Sequence, residues 1–325
     1  MNNVKPLVSI VTLTYKKFDK LFETIKSVFE QDYPNIEYII ADDGSENFPK
    51  AKIDDFINEK EEALHIKVLH SDENRGTVKN LNNACQQSVG EYILFLSCGD
   101  VFFSKDVVSK IVERFLETKA NVIVATRLLY KDDYKPICFL PHYCERKIIE
   151  KNKTNMQQYE MFVAGHYYDM ASGSAMYFSR AILEEFNYFD ERYVLWEDGP
   201  FLAKYLAKYP LTFSYDITSI WYEIGGVSTG EIKNSLLSKD VEFFNATERL
   251  EHINELKPSG RKLLKYLMDG YGNKSFLKKM KLRISNPVQF LFFQKMRIQR
   301  NIFKLYDKKL LKNCSIIKNR NLKND

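Results

Sequence analysis

Along the first 126 residues, short continuous apolar runs alternate with stretches whose apolar positions recur every three or four residues. LVSIVTL is a near-continuous β-branched run, the pattern of a strand buried on both faces. FDKLFETIKSVFEQ follows with Leu21, Phe22, Ile25, Val28 and Phe29 at helical spacing. IEYIIA, HIKVLH, EYILFLS and NVIVAT predict further strands. KIDDFINEKEE, TVKNLNNACQQS and KDVVSKIVERFLET predict the helices between them. Alternation of this kind predicts a doubly wound, mostly parallel α/β sheet with right-handed crossovers.

From about 130 to 170 the period fades among Pro, Tyr and His, which predicts a loop-rich insertion over the ligand edge. SGSAMYFSR then reads as a strand, AILEEF as a short helix and WEDGPFLAKYLAKY as a longer one, with LTFSY and SIWYE as two short strands. Beyond Gly230 the chain turns helical and basic. The amino-terminal apolar run is short and alternating, so it is read as the first strand and not as a signal peptide. No uncharged stretch approaches the roughly 18 to 20 residues of a membrane helix, so any membrane contact is expected to be peripheral.

Composition changes this picture in two ways. Hydrophobic residues make up 45% of the chain, enough for a sizeable core, and this excludes a disordered protein. Five scattered cysteines do not suggest a disulfide framework and fit a reducing cytoplasm. Charge is divided unevenly. Lys257 to Asp325 holds 19 basic residues against three acids, a net +16, which leaves −11 on the preceding residues. No nucleic-acid motif accompanies the tail, and the acidic body would repel phosphate backbones, so a nucleic-acid partner is not expected.

Parallel sheets bind ligands at the carboxyl ends of their strands. Those ends carry Thr14 and Tyr15, then Asp42 and Asp43 in the turn ADDGS, then Arg75 and Gly76 in ENRG, then Ser97 to Asp100 in SCGD. Paired acids can hold a base or ribose, or can simply cap a turn. Arg75 stands before a helix whose free amides suit a phosphate. Asp100 suits a divalent cation, or could cap the helix that follows Ser104. Glu197 and Asp198 open a helix, where the dipole favours carboxylates whatever their role. Cys138, His142 and Cys144 lack a fourth partner at zinc spacing. Trp196, Trp221 and Tyr222 could floor a sugar site or pack a core, and GGVST could be a closing loop or a plain turn.

Together, VSIVTLTY, ADDGS, NRG with Asn82, GEY, SCGD, FDERY and WEDGPF resemble the family 2 glycosyltransferases of the GT-A fold over roughly residues 6–228. The resemblance implies a GT-A domain over 1–230, with 1–126 as its nucleotide-binding half and 127–230 as its acceptor-binding half, and a helical basic extension over 231–325. It implies an inverting transfer from a nucleoside-diphosphate sugar, UDP-sugars first, to an oligosaccharide or lipid-linked acceptor in surface-polysaccharide or glycoconjugate synthesis. Thr14, Tyr15, Asp42, Asp43, Arg75, Ser97 and Asp100 would bind the donor. Asp100 would hold Mg²⁺ or Mn²⁺, Asp198 would be the base, and Glu197, Trp196 and His166 would face the acceptor. The motif departs from the family's Asp-x-Asp-Asp, since Ser97-Cys98-Gly99-Asp100 keeps only the last acid. A nonreactive nucleotide-sugar binding module and a transferase of protein acceptors are the competing readings. In the tail, Phe292, Met296, Ile302, Phe303 and Tyr306 recur near helical spacing among Lys295, Arg297, Arg300, Lys304 and Lys308. That pattern predicts a helix lying on an anionic membrane surface, or else one docked on the protein.

Overall fold

A computed structural model describes residues 5–59, 64–131, 134–165, 169–226, 234–270 and 275–312. The chain divides into two compact units. The first takes residues 1–137, 171–198 and 211–237, and the second takes 138–170, 199–210 and 238–325.

The first unit is built on a sheet ordered β3-β2-β1-β4-β8-β6-β9-β5, with β7 paired to β6. Its strands are β1 (Val8–Thr14), β2 (Ile36–Asp42), β3 (His65–His70), β4 (Tyr92–Phe95), β5 (Val101–Phe102), β6 (Val122–Lys131), β7 (Lys135–Leu140), β8 (Met176–Ser179) and β9 (Thr212–Glu223). The helices α1 (Leu21–Phe29), α2 (Lys50–Asn58), α3 (Thr77–Gln87), α4 (Val107–Thr118) and, after β8, α7 (Arg180–Glu185) connect them. Strands β1 to β4 pair in parallel as the sequence pattern predicts. Past β4 the sheet is mixed. β8 runs antiparallel to both β4 and β6, so β6 regains the direction of β4, and β9 runs parallel to β6. The carboxyl ends of β1, β2, β3, β4, β6 and β9 therefore share one edge. The apolar faces of α1 (Leu21, Ile25, Val28) and α4 (Val108, Ile111, Phe115) close the core against Val8, Ile10, Tyr38 and Ile40 of β1 and β2.

Two stretches differ from the sequence pattern. LTFSY and SIWYE form one strand, because the Asp216 region is taken up as a register shift against Ala125 and Thr126 of β6. The expected loop over 130–170 contains β7 and, in the second unit, α5 (Tyr143–Ile149) and α6 (Asn155–Val163). Both helices open with capping boxes, His142 with Glu145 and Thr154 with Gln157. Short helices fixed at their ends need little apolar period, which is why the pattern there looked irregular.

The second unit adds α8 (Asp198–Lys208, entered from the first unit), α9 (Ser235–Phe244), α10 (Pro258–Gly270), α11 (Phe276–Ser285) and α12 (Pro287–Leu311). Asp307 of α12 is fully buried and ties α12 to the start of α5. It lies 2.8 Å from His142 Nδ1 and accepts the Phe139 and Tyr143 N–H groups, while Arg300 Nε pairs with buried Glu145 at 3.0 Å. Of the five apolar residues expected to face lipid, this corrects Met296 alone, while Ile302 and Tyr306 are exposed. Met296 is buried with Phe293, and Arg300 is held by Glu145, so that side of α12 faces protein. The outward side carries Val288, Leu291, Ile298, Ile302 and Leu305, each more than half exposed.

Candidate active site

The site lies on the shared carboxyl edge of the first unit's sheet. Thr14, Asp42 and His70 stand in register at the ends of β1, β2 and β3. Asp42 is fully buried. Its carboxylate accepts the Ser45 N–H and hydroxyl, each at 2.7 Å, and lies 2.9 Å from His70 Nδ1, whose ring stacks on Phe48. Asp43 accepts the backbone N–H groups of Arg75 and Gly76, both at 2.9 Å. Burial raises the Asp43 carboxyl above its ordinary pKa, against the pull of those two N–H groups. Gly44 has φ +74°, and a Cβ there would come within 2.4 Å of the Glu73 carbonyl carbon. The ADDGS turn and the ENRG loop, apart in sequence, are thus one packed unit. Arg75 projects from it, exposed, with one guanidinium nitrogen 3.1 Å from the Ser71 hydroxyl. Tyr15 is also exposed, with Lys16 Nζ 5.0 Å above its ring, and the Thr14 hydroxyl donates to the Lys17 carbonyl.

Asn82 and Gly76 explain two other motifs. The Asn82 side chain donates to the Phe189 carbonyl and accepts its N–H, and the Val78 N–H donates to the Val194 carbonyl. A Cβ on Gly76, which has φ +91°, would meet Val194 at 2.6 Å. The loop that carries Arg75 is therefore seated against FDERYV, the segment that leads to Trp196, Glu197 and Asp198.

Exposed Ser97 opens a tight turn whose carbonyl accepts the Asp100 N–H. The turn is held by Thr24, whose hydroxyl donates to the Asp100 carbonyl, and by Tyr130, whose hydroxyl donates to the Gly99 carbonyl. Asp100 is 3% exposed. One carboxylate oxygen accepts the Glu223 N–H at 2.9 Å, and the other, Oδ2, is buried and accepts nothing. Burial pushes this carboxyl up to about 8, although the Glu223 N–H and the nearby Arg127 charge pull it down. A buried carboxylate oxygen without a donor is costly as an anion unless a cation reaches it, so the site fits a divalent ion. Among the described residues no three acidic, histidine or cysteine side chains cluster as a self-sufficient metal cage.

Arg127, on β6, links this turn to the other end of the site. Its guanidinium donates to the Ser172 hydroxyl and to the Ser174 hydroxyl at 3.0 Å, and lies 4.8 Å over the Tyr222 ring. Between those serines, the Gly173 N–H donates to Asp198 Oδ2 at 2.6 Å. A Cβ on Gly173 would sit 2.6 Å from Glu197 Oε1 and 3.3 Å from Asp198 Cβ, so both acids pack against that glycine. Trp196, Glu197 and Asp198 are all half-buried. Trp221 is core, fully buried and ringed by Phe103, Tyr130 and Tyr134, and does not floor a sugar site. His166 and Val227 to Thr229 of GGVST lie outside the described residues. The sequence pattern did not single out Arg127, Ser172, Ser174, His70 or Glu223. Of these, Glu223 ends a strand on the ligand edge and was open to the same reading as Asp42.

The family model described as Glycosyl transferase family 2 matches residues 9–186. The putative teichuronic acid biosynthesis glycosyltransferase TuaG of Bacillus subtilis is 33% identical over 137 residues, 42% of this chain and 53% of that protein. The Escherichia coli UDP-Glc:alpha-D-GlcNAc-diphosphoundecaprenol beta-1,3-glucosyltransferase WfaP is 31% identical over 113 residues, 35% of this chain and 42% of that one. The matches thus span about half or less of these relatives. Among solved structures, residues 1–349 of S. aureus TarS with UDP-GlcNAc superpose with TM-score 0.58 at 17% identity, over 87% of this chain and 78% of that one. The Pyrobaculum calidifontis mannosyltransferase PcManGT with GDP-Man and Mn²⁺ gives 0.53 at 13% identity, over 98% and 83%. The fold is thereby the GT-A fold.

Proposed function

The chain belongs to glycosyl transferase family 2, and we propose that it moves a sugar, with inversion, from a nucleoside-diphosphate donor to an oligosaccharide or lipid-linked acceptor in surface-polysaccharide synthesis. UDP-sugars are the first donors to test. The observation that carries this reading is the chain of contacts from buried Asp100, through the Glu223 N–H and the neighbouring Tyr222 ring to Arg127, and on through the Ser172–Ser174 loop to the Asp198 carboxylate. It supplies a cation-holding end and a proton-accepting end on one edge of the sheet.

In this reading the ADDGS and ENRG unit frames the nucleoside, and Arg75 faces the diphosphate. Asp42 and Asp43 are already engaged by Ser45, His70 and the loop amides, so their part is to shape that wall. Asp198 takes the proton of the acceptor hydroxyl as its oxygen attacks the anomeric carbon. The carbon–oxygen bond to the diphosphate breaks on the opposite face, and the nucleoside diphosphate leaves with the bonding pair. A divalent cation on Asp100 would stabilise the charge that develops on the leaving group. The direct test is a thermal-shift screen of nucleotide-sugars, followed by turnover on a synthetic lipid-diphosphate acceptor. A cognate donor at a hundred times its Kd stabilises the fold by about 2.7 kcal/mol. If no nucleotide-sugar raises the melting temperature, the reading fails.

A lipid-linked acceptor requires access to a membrane, and among the described residues no helix is long and apolar enough to cross one. Peripheral seating at the inner membrane face, through α11 and the outward side of α12, is part of the proposal. Phe276, Leu277, Ile284, Val288, Leu291, Ile298, Ile302 and Leu305 are exposed there, and residues 270–306 contain nine Lys and Arg and no acid. Each basic residue near an anionic leaflet contributes about 1 kcal/mol. The intact protein is expected to co-sediment with vesicles containing acidic lipid at low salt. The double variant Leu291→Asp, Ile298→Asp should lose at least tenfold in partitioning with an unchanged melting temperature, because both side chains are exposed. Equal partitioning of the variant would remove this face from the proposal.

A further inference from the structure

The acidic turn supplies one side-chain carboxylate, and a hard divalent cation prefers several oxygens. A second carboxylate reaches the same place from β9. The ladder pairs Val101 of β5 with Trp221, and continuing it brings Gly99 and Asp100 alongside Tyr222 and Glu223. The Glu223 N–H donates to Asp100 Oδ1. The Glu223 side chain folds back over Gly99, whose φ is +99°. A Cβ on that glycine would stand 2.4 Å from Glu223 Oε2, so the turn is glycine where the carboxylate must pass. The other oxygen, Oε1, is held 2.6 Å from Lys20 Nζ, and that ammonium in turn lies 5.0 Å over the Tyr130 ring. The carboxylate that receives the Glu223 N–H keeps its other oxygen, Asp100 Oδ2, buried and without a donor, a feature that asks for a cation.

We propose that Glu223 is the second carboxylate of the cation site, and that Lys20 occupies it as a resident counter-charge that a divalent ion displaces. The inference rests on the reading of Asp100 as a cation ligand. Glu223 replaces from β9, 123 residues away, the acid that Ser97-Cys98-Gly99-Asp100 lacks. Lys20 keeps two adjacent carboxylates compatible while no divalent ion is bound, and its flexible stem allows it to turn towards solvent or donor phosphate when the ion arrives.

The test is Mn²⁺ binding to the full chain, read by electron paramagnetic resonance of free Mn²⁺ with UDP present and no acceptor. Glu223→Gln keeps shape and backbone and is expected to weaken Mn²⁺ binding about tenfold, and Lys20→Met to tighten it at least threefold. Neither should change UDP affinity without metal. Asp100→Asn should abolish Mn²⁺ binding. If Asp100→Asn abolishes it and Glu223→Gln leaves it within twofold, the inference is overturned while the Asp100 reading stands. If wild-type protein binds UDP but no Mn²⁺, both fall. A purely structural Lys20–Glu223 pair would lower the melting temperature in both variants and move Mn²⁺ affinity in neither, which also overturns it.

Discussion

Asp198→Asn is expected to lower kcat by about 10²- to 10⁴-fold while leaving nucleotide-sugar affinity within about twofold. The carboxamide matches the carboxylate in shape, and its oxygen can still accept the Gly173 N–H now held at 2.6 Å, so the start of α8 stays in place. What is lost is the capacity to take the acceptor's proton. Gly173→Ala provides a second, geometric route to the same step. Its methyl would stand 2.6 Å from Glu197 Oε1 and 3.3 Å from Asp198 Cβ, and would push the acids away without altering either. Its expected cost is about tenfold or more in kcat, since small misplacements of a reacting group are expensive. Single-turnover rates with a true acceptor, set beside donor titrations, check both. Near wild-type turnover in Asp198→Asn would take the base assignment away from this residue.

The strands and helices of the first half were legible because each must bury a face, and burial leaves a period in the sequence. LVSIVTL and IEYIIA became β1 and β2 almost residue for residue. The ligand edge was legible for a similar reason, since strand ends in a parallel sheet point one way, and this brought Thr14, Asp42 and Asp100 into view. The partners of those residues were not. His70, Arg127 and Glu223 reach them through strand pairing, and no local pattern encodes which strand pairs with which. The antiparallel insertion of β8 between β4 and β6, which leaves β6 and β9 running in the direction of β4, is invisible in the short run MYFS. In the tail, the expected apolar stripe was only partly placed: Met296 turns to the protein, while Ile302 and Tyr306 are exposed. Apolar residues lie on both sides of α12, and only the buried Asp307, bonded to His142, tells which side faces protein.

Glu37→Ala is expected to destabilise the first unit by about 2–4 kcal/mol, the scale for exposing partners of a buried charge. Glu37 lies at the amino end of β2 and is 1% exposed. One of its oxygens accepts the Ser9 hydroxyl at 2.6 Å and the Val89 N–H at 2.8 Å, and the other takes Lys67 Nζ at 2.7 Å. The Ser9 hydroxyl also accepts the Gly90 N–H, so one carboxylate joins β1, β2 and β3 to the entry of β4. Truncation leaves the Val89 N–H and the Ser9 hydroxyl without their acceptor. Burial alone would raise the Glu37 pKa, but Lys67, Ser9 and Val89 together outweigh it and hold the carboxyl below its ordinary 4.5. A carboxyl with a depressed folded pKa contributes stability that is complete above its unfolded value and is lost as the pH falls through the folded one. The gap between wild type and Glu37→Gln should therefore be full at pH 7 and narrow on acidification below about 4.5. Urea unfolding at both pH values checks this, with the midpoint moving and the slope constant. A gap that is unchanged at pH 3.5, or absent at pH 7, would show that the network holds the strands by hydrogen bonding alone or not at all.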